Sequence, residues 1–350
     1  MNRRWICNDV WMDILPSFDR PQLGLKMALL SDRFDALVDA HFDATTELTL
    51  WNSIIIRKDI GPKANEIGPK AELSVVFGVN VVQFSMLDHP LPNKIRFSFL
   101  QIEYIDHSVI TFLHANKQIW DKRGTKLELS IDDDQPIWDV FIRQIWPIFA
   151  TNIRHLYVPD GNHLDKLRRL ISPTILTDFD QLHSIDSNYL LPDAIGDDGP
   201  NTTADQALSK WLHTPTKDGQ PKRFRRNNFL VPPNLEWVNN FKETFRRATT
   251  SVSYNIQLFF WVEPMPIEPF ELENKVTNEK LTLKLSEESI ELEYNWLLKR
   301  CPIGETAPVR FDPRYGNNAC ANLNIVRFDL GGNHWIGPLS PPAVVEEELD

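Results

Sequence analysis

The chain has 350 residues, of which 42% are hydrophobic and 24% charged, and these values exclude both a very small module and a chain disordered throughout. Its 37 Lys and Arg against 48 Asp and Glu give a net charge of −11, which argues against a nucleic-acid partner recognised mainly through charge. Three scattered cysteines, with no signal-peptide or membrane-spanning pattern, favour a cytoplasmic or nuclear location.

Three short helices are predicted between residues 5 and 43. Asn8 is expected to cap the first, whose apolar residues recur every three to four positions. Asp19 is expected to cap the second, with Pro21 in its first turn, where a missing N–H costs little. A third helix from about Ser31 carries an apolar stripe. So small a bundle cannot bury all of these side chains by itself, so the rest of the chain or a partner should cover some of them.

The remaining chain is predicted to be rich in β-strands. Residues 47–92 form a β-rich bridge, because β-branched and aromatic runs alternate there with Gly-Pro turns. Over residues 93–262, strands alternate with helices at a period of roughly 26 to 30 residues, which predicts an irregular β/α repeat-like, leucine-rich-repeat-like region. One ordinary α/β domain with parallel strands is the equally weighted alternative. Antiparallel hairpins are predicted over residues 263–336 and a disordered acidic tail over 337–350. The predicted fold class is α+β.

The order of residues in the N-terminal helices resembles that of the F-box family. The matching stretches are residues 9–15 (DVWMDIL), 19–23 (DRPQL) and 31–38 (SDRFDALV). In that motif an acidic and aliphatic helix, an aspartate turn, a leucine-rich helix and an Arg-aromatic pair precede a final Leu-Val. Ile6 and Cys7 stand where the motif usually opens with Leu-Pro.

Three downstream stretches are similar to those of an expanded nematode set of F-box proteins. They are residues 211–215 (WLHTP), 269–274 (PFELEN) and 296–303 (WLLKRCPI). The resemblance as a whole implies the substrate-recognition adaptor of a Skp, cullin and F-box (SCF) ubiquitin ligase. Such a subunit binds the Skp adaptor protein, and through it a cullin, and holds an unidentified protein substrate with the rest of its chain.

An adaptor of this kind supplies proximity rather than chemistry, so no catalytic residue, cofactor or metal is expected. The resemblance implies that the N-terminal helices place apolar side chains in grooves of the Skp adaptor and charged side chains at the rim of the interface. The residues expected to bind it are Val10, Asp13, Ile14, Leu15, Asp19, Pro21, Leu23, Leu29, Arg33 and Phe34. The sequence identifies no residue that contacts the substrate.

The sequence lacks the local motifs of common enzymes. It contains no phosphate-binding glycine loop, no Gly-x-Ser-x-Gly and no His-Glu-x-x-His. His107 and His114 could share a helix face, but without a third ligand they are interpreted as structural imidazoles rather than a metal site. Cys301 and His334 match no nucleophile and base spacing, so Cys301 is expected to be a buried thiol.

Two alternatives to the ligase adaptor stay open. In the first, the N-terminal helices pack inward and the protein is an interaction scaffold that assembles no ligase. In the second, the basic run Lys222–Arg226 binds RNA. Against the RNA alternative stands the interpretation of that run as a solvated strand edge whose charges discourage aggregation.

Overall fold

A computed structural model describes residues 6–18, 22–44, 50–51, 53–58, 71–77, 80–85, 96–97, 99–117, 124–227, 233–260, 268–285, 294–305 and 324–331. These residues form a mixed α/β protein. The chain divides into two compact units: unit 1 is Met1–Arg123, Ile131–Ala150 and Asn324–Asp350, and unit 2 is Gly124–Ser130 and Thr151–Leu323. In the described parts of the chain, no helix has the length and apolarity that a membrane crossing requires.

Helices are found in both units. Those of unit 1 are α1 (Asn8–Ile14), α2 (Asp32–Ala44), α3 (His107–Ala115), α4 (Gln135–Val140) and α5 (Trp146–Phe149). Between α1 and α2 lie 3₁₀ turns at Leu15–Ser17 and Ala28–Leu30 and a π-helical turn at Leu23–Met27, and a second π-helical turn at Phe141–Ile145 joins α4 to α5. The helices of unit 2 are α6 (Gly161–Leu170), α7 (Ile175–Asp178), α8 (Ala204–Leu212) and α9 (Leu235–Arg247).

Strands make up the rest of the regular structure. Those of unit 1 are β1 (Leu50–Trp51), β2 (Ser53–Lys58), β3 (Ala71–Phe77), β4 (Asn80–Ser85), β5 (Arg96–Phe97), β6 (Phe99–Ile102) and β15 (Asn324–Leu330). Those of unit 2 are β7 (Thr125–Ile131), β8 (Ile153–Tyr157), β9 (Ser184–Ser187), β10 (Lys222–Arg226), β11 (Tyr254–Phe260), β12 (Phe270–Asn274), β13 (Glu279–Leu285) and β14 (Tyr294–Pro302).

In unit 1, strands β15, β6, β2, β3 and β4 are neighbours in that order, while β1 pairs with β5. β15 and β6 run parallel, as do β6 and β2, and β2, β3 and β4 form an antiparallel meander. Phe328 of β15 packs edge to face against Phe141, with ring centroids 5.1 Å apart. Asp106 caps α3 by accepting from the amide of Val109, and its second oxygen accepts from the amide of Ala71, which ties α3 to β3. The buried aromatic and the shared carboxylate hold helices onto this sheet.

In unit 2, strands β7 to β11 pair in chain order and all run parallel, and β14, β13 and β12 continue the sheet antiparallel. Because side chains alternate between faces, one face carries Phe224 and Tyr254 and the other carries Arg225 and Asn255. The first face meets the helices, since the ring of His213, just after α8, lies 5.3 Å from that of Tyr254. We call it the helical face and the opposite one the polar face.

Many predicted elements are present, with four local corrections. The second of the three predicted N-terminal helices is not an α-helix, because its residues form a π-helical turn at Leu23–Met27 and a 3₁₀ turn at Ala28–Leu30. Asn8 was predicted to cap α1, but Cys7 occupies the cap position and makes no side-chain hydrogen bond there. The predicted hairpins of residues 263–336 are present as β12, β13 and β14, whereas β15 pairs parallel with β6 instead. The interpretation of β10 as a strand edge is wrong, because β9 and β11 flank it. The predicted tail, residues 337–350, lies outside the described residues.

Candidate functional site

The N-terminal helices of unit 1 enclose a small apolar core. Its buried members are Leu15, Leu23, Ala28, Leu37 and Val38. Trp11, Met12, Phe18, Met27 and Phe34 pack around them as partly buried side chains. The rings of Trp11 on α1 and Phe34 on α2 meet edge to face, with centroids 4.9 Å apart. The two helices are therefore joined by side-chain packing of their own, as their apolar spacing predicts.

Large apolar side chains of the same segment also remain exposed. Ile6, just before α1, is 45% exposed, Val10 in α1 is 45% exposed, and Leu30, just before α2, is 65% exposed. Their exposure costs free energy that burial against a partner would recover, at about 25 cal/mol per Å² of apolar surface. The segment thus combines a filled core with apolar surface that a partner protein can cover.

Arg33 fixes the start of this segment against α2. Its Nη2 donates to the carbonyl of Ile6 over 2.5 Å and to Oδ1 of Asn8 over 2.8 Å, and its Nε donates to the same Asn8 oxygen over 3.1 Å. Hydrogen bonds from a guanidinium are stronger than those between neutral groups. The exposed Ile6 is consequently held in place through its own backbone.

The residues predicted to bind a Skp adaptor fall into distinct environments. Leu15 and Leu23 are 0% and 1% exposed, so they hold the bundle together and present no side-chain surface to a partner, which corrects their predicted role as direct contacts. Among the others, Val10 and Asp13 are exposed, Ile14, Arg33 and Phe34 are partly buried, and Asp19, Pro21 and the Leu29 side chain lie outside what the structure describes.

The polar face of unit 2 collects charged side chains from neighbouring strands. His155 Nε2 lies 2.9 Å from Asp186 Oδ2, and Lys126 Nζ lies 2.9 Å from Glu128 Oε1 and 3.8 Å from Asp186. Burial alone would raise the pKa of Asp186, but the charge and hydrogen bond of His155, with the charges of Lys126 and Arg225, outweigh it and lower that pKa. Strands β7, β8, β9 and β10 thereby contribute to one cluster of balanced charges.

Amide side chains extend the polar face onto β11 and β14. Gln257 Nε2 donates to Asn295 Oδ1 over 3.0 Å, and the Arg225 guanidinium lies 4.6 Å from the centroid of the Phe259 ring. Asn255 Oδ1 and Gln257 Oε1 are buried and form no hydrogen bond with the residues that the structure describes, which is unusual in protein interiors. This face was not predicted, although Asn255 and Gln257 in β11, like Arg223 and Arg225 in β10, are polar residues at alternate positions of the sequence.

The basic run on β10 is split between the two faces of the sheet. Lys222, Phe224 and Arg226 are buried on the helical face, and only Arg223 and Arg225 lie on the polar face. Lys222 Nζ donates to the carbonyl of Trp211 and lies 5.0 Å from the centroid of the Trp211 ring. Burial lowers the pKa of Lys222 to about 8. The run therefore does not form one exposed basic surface of the kind that binds RNA.

Of the side chains considered for catalysis or metal binding, the structure describes His107, His114 and Cys301. On α3, His107 is partly buried and His114 is exposed. Cys301 is buried, and burial raises the pKa of its thiol, as expected for an inert cysteine. His334 lies outside the described residues. Within the described ranges, no three His, Cys, Asp or Glu side chains are grouped so that they could hold a metal ion.

The described residues thus offer a candidate surface on the N-terminal helices of unit 1, whereas the polar cluster of unit 2 is buried. Comparison of the chain with family models, with curated proteins and with solved structures finds no match.

Proposed function

We propose that this chain is the substrate-recognition adaptor of an SCF ubiquitin ligase, in which residues 5–43 are an F-box that binds a Skp adaptor and, through it, a cullin. One observation carries the proposal. The segment whose residue order resembles an F-box has its own buried core and exposes Ile6, Val10 and Leu30. A bundle that packed inward as part of a scaffold would be expected to cover such side chains.

In this proposal, the N-terminal residues have separate tasks. Leu15 and Leu23 hold the bundle together, and Arg33 positions the chain before α1. Val10, together with Ile14 and the exposed edge of Phe34, enters apolar grooves of the Skp adaptor. Truncation of a well-buried interface anchor costs about 2 kcal/mol or more, which weakens binding about 30-fold.

The rest of the chain would hold the substrate. Strands β8 to β11 pair in chain order with helices between them, and this arrangement supports an irregular leucine-rich-repeat-like array in unit 2. The adaptor's contribution to ubiquitin transfer would be proximity and orientation, with the chemistry performed by other subunits.

Affinity purification of the full chain from its native host tests the proposal. Recovery of both a Skp adaptor and a cullin, lost together when Val10 is replaced by Asp, is the expected result. Recovery of neither protein, with the chain folded and soluble, would contradict the proposal and favour the scaffold without ligase assembly. Salt-sensitive recovery of RNA, lost when Arg223 and Arg225 are replaced by Glu, would favour the RNA alternative.

A further inference from the structure

Unit 2 contains a cavity of about 660 Å³ beside α9, a volume within the range of sites that bind small ligands. One wall is a polar stripe of α9 formed by Asn240, Glu243, Thr244 and Arg247, whose spacing places them on one helix face. Asp193, Ala194, Ile195, His213 and Arg300 also line the cavity. The apolar stripe of α9, formed by Trp237, Val238, Phe241 and Phe245, is buried.

Hydrogen bonds anchor the segment that begins at Asp193. Trp237 Nε1 donates to the carbonyl of Pro192 over 2.8 Å, and the amide of Asp193 donates to the carbonyl of Asp205 over 3.1 Å. Gly196 approaches α8 so closely that a Cβ atom there would clash with the backbone nitrogen of Lys210. A larger residue at position 196 would therefore push this segment away from α8.

His213 supplies a hydrogen-bond acceptor to the cavity. Its Nδ1 lies 2.8 Å from the carbonyl oxygen of Ser209, so Nδ1 must carry the hydrogen and Nε2 keeps its lone pair. Burial is the main cause that lowers the pKa of His213, and the charges of Arg300 and Lys222 lower it further. Nε2 forms no hydrogen bond with any residue that the structure describes.

Arg300 supplies a donor. Its Nε and Nη2 lie 3.0 and 2.6 Å from Glu279 Oε2, and Nη2 also donates to the carbonyl of Thr250 over 2.7 Å. Nε and Nη2 use three of the five N–H groups of the guanidinium, so those of Nη1 are available to a ligand. Glu279, which is 0% exposed, balances the charge of Arg300.

Charges around the cavity disfavour an ionic ligand of either sign. An anion would meet the carboxylates of Asp193 and Glu243 and the lone pair of His213, and a cation would meet the positive charges of Arg247 and Arg300. Glu243 already pairs with Arg246 and Arg247, at 2.5 and 3.8 Å. A neutral group that both donates and accepts hydrogen bonds satisfies His213 and Arg300 together, and an amide is such a group.

We propose that this cavity binds an uncharged amide of a polypeptide segment, either a backbone peptide group or the side chain of Asn or Gln. The amide N–H would donate to His213 Nε2, and the amide oxygen would accept from Arg300. The inference goes beyond the adaptor function and does not depend on it. If the chain is an SCF adaptor, the bound segment belongs to its target.

Ligand-observed NMR titrations of the full chain test the ligand class. The probes are the N-acetyl, N-methylamide derivatives of glutamine, alanine and glutamate. We expect saturable binding of the glutamine derivative and at least about tenfold weaker binding of the glutamate derivative. Saturable binding of the alanine derivative as well would identify the backbone peptide group as the ligand, and its absence would identify the side-chain amide. Equal binding of the glutamine and glutamate derivatives without binding of the alanine derivative, or no saturable binding of any probe, would overturn the proposal.

Neighbouring asparagines of α9 provide a matched pair of variants. Asn240 lines the cavity, whereas Asn239 is exposed and does not line it. Asn240→Trp should fill the cavity and abolish binding, and Asn239→Trp should leave binding unchanged, with thermal unfolding midpoints used to verify folding. His213→Phe keeps an aromatic ring but removes the acceptor, so it should weaken binding at least about tenfold. This variant provides the test if Asn240→Trp does not fold. Unchanged binding in a folded Asn240→Trp or His213→Phe variant would overturn the proposal.

Discussion

Arg33 Nη2 lies 2.8 Å from Asn8 Oδ1, a hydrogen bond that spans 25 positions of the sequence. The same nitrogen donates to the carbonyl of Ile6, so one guanidinium determines where the exposed Ile6 and the beginning of α1 lie relative to α2. A lysine ammonium cannot reproduce the forked geometry of these guanidinium hydrogen bonds, because its charge is a single point on a flexible stem. Arg33 is therefore a positioning residue for the proposed adaptor surface.

Arg33→Lys is expected to weaken binding of the Skp adaptor about tenfold and to lower the free energy of unfolding by about 1 to 3 kcal/mol. Calorimetric titration and urea unfolding measure the two effects. Arg246→Lys, an exposed arginine of α9 in unit 2, is the matched control and should leave adaptor binding unchanged. Full adaptor affinity of Arg33→Lys would show that the fork does not position the surface.

Leu15→Ala and Leu23→Ala should each lower the free energy of unfolding by about 2 to 5 kcal/mol, because each substitution leaves a cavity among buried side chains. Leu30→Ala removes the same atoms from a 65% exposed side chain and should change stability by about 0.5 kcal/mol or less. Urea unfolding monitored by circular dichroism compares the three variants. Equal stabilities would contradict the described core of the N-terminal bundle.

Local patterns in the sequence predict the elements well and their lateral contacts poorly. Helices are predicted among the strands of residues 93–262, and one of them is observed at Ala204–Leu212, because the apolar period and the capping Thr203 act within a few residues. Asn8 also looks like a cap locally, but Arg33 binds its side chain and Cys7 takes the cap position. The preference of a capping residue was overridden by a partner that the sequence does not place nearby.

The N-terminal surface and the sites of unit 2 differ in how far local sequence predicts them. The role proposed for Val10 follows from the resemblance alone, since the stretches that carry it lie close together in the sequence. The pairing of His155 with Asp186 depends on the register of β8 against β9, which periodicity alone does not determine. His213 and Arg300 likewise line one cavity next to α9 although they lie far apart in the chain.

The buried Lys222 predicts a specific dependence of stability on pH. Its pKa in the folded protein is about 8, below its ordinary value of 10.5, so between these values the unfolded chain binds more protons than the folded protein. The free energy of unfolding should therefore rise as the pH increases from about 8 towards 10.5.

Lys222→Met should remove this rise, and the substitution Lys210→Met at an exposed position of α8 should keep it. Denaturant unfolding of the three proteins at pH values from about 7.5 to 10 measures the effect. A parallel pH dependence of wild type and Lys222→Met would contradict the assignment of a low pKa to Lys222.

Glu279→Gln should strongly destabilise unit 2. The substitution keeps the shape of the side chain but leaves the buried Arg300 without a counter-charge, a loss of about 3 to 5 kcal/mol. The matched control is Glu271→Gln, because Glu271 is exposed and its Oε2 lies 3.9 Å from Lys284 Nζ. This substitution should lower the free energy of unfolding by about 1 kcal/mol or less. Urea unfolding compares the two variants, and similar stabilities would show that the Glu279 and Arg300 pair is not buried.

The proposed adaptor function is tested most directly by the dissociation constant between the full chain and a purified Skp adaptor. The account predicts saturable one-to-one binding that Val10→Asp weakens at least about 30-fold, while Val276→Asp, at an exposed valine in unit 2, leaves it unchanged. No binding by the wild-type chain, or equal binding by both variants, would contradict the account.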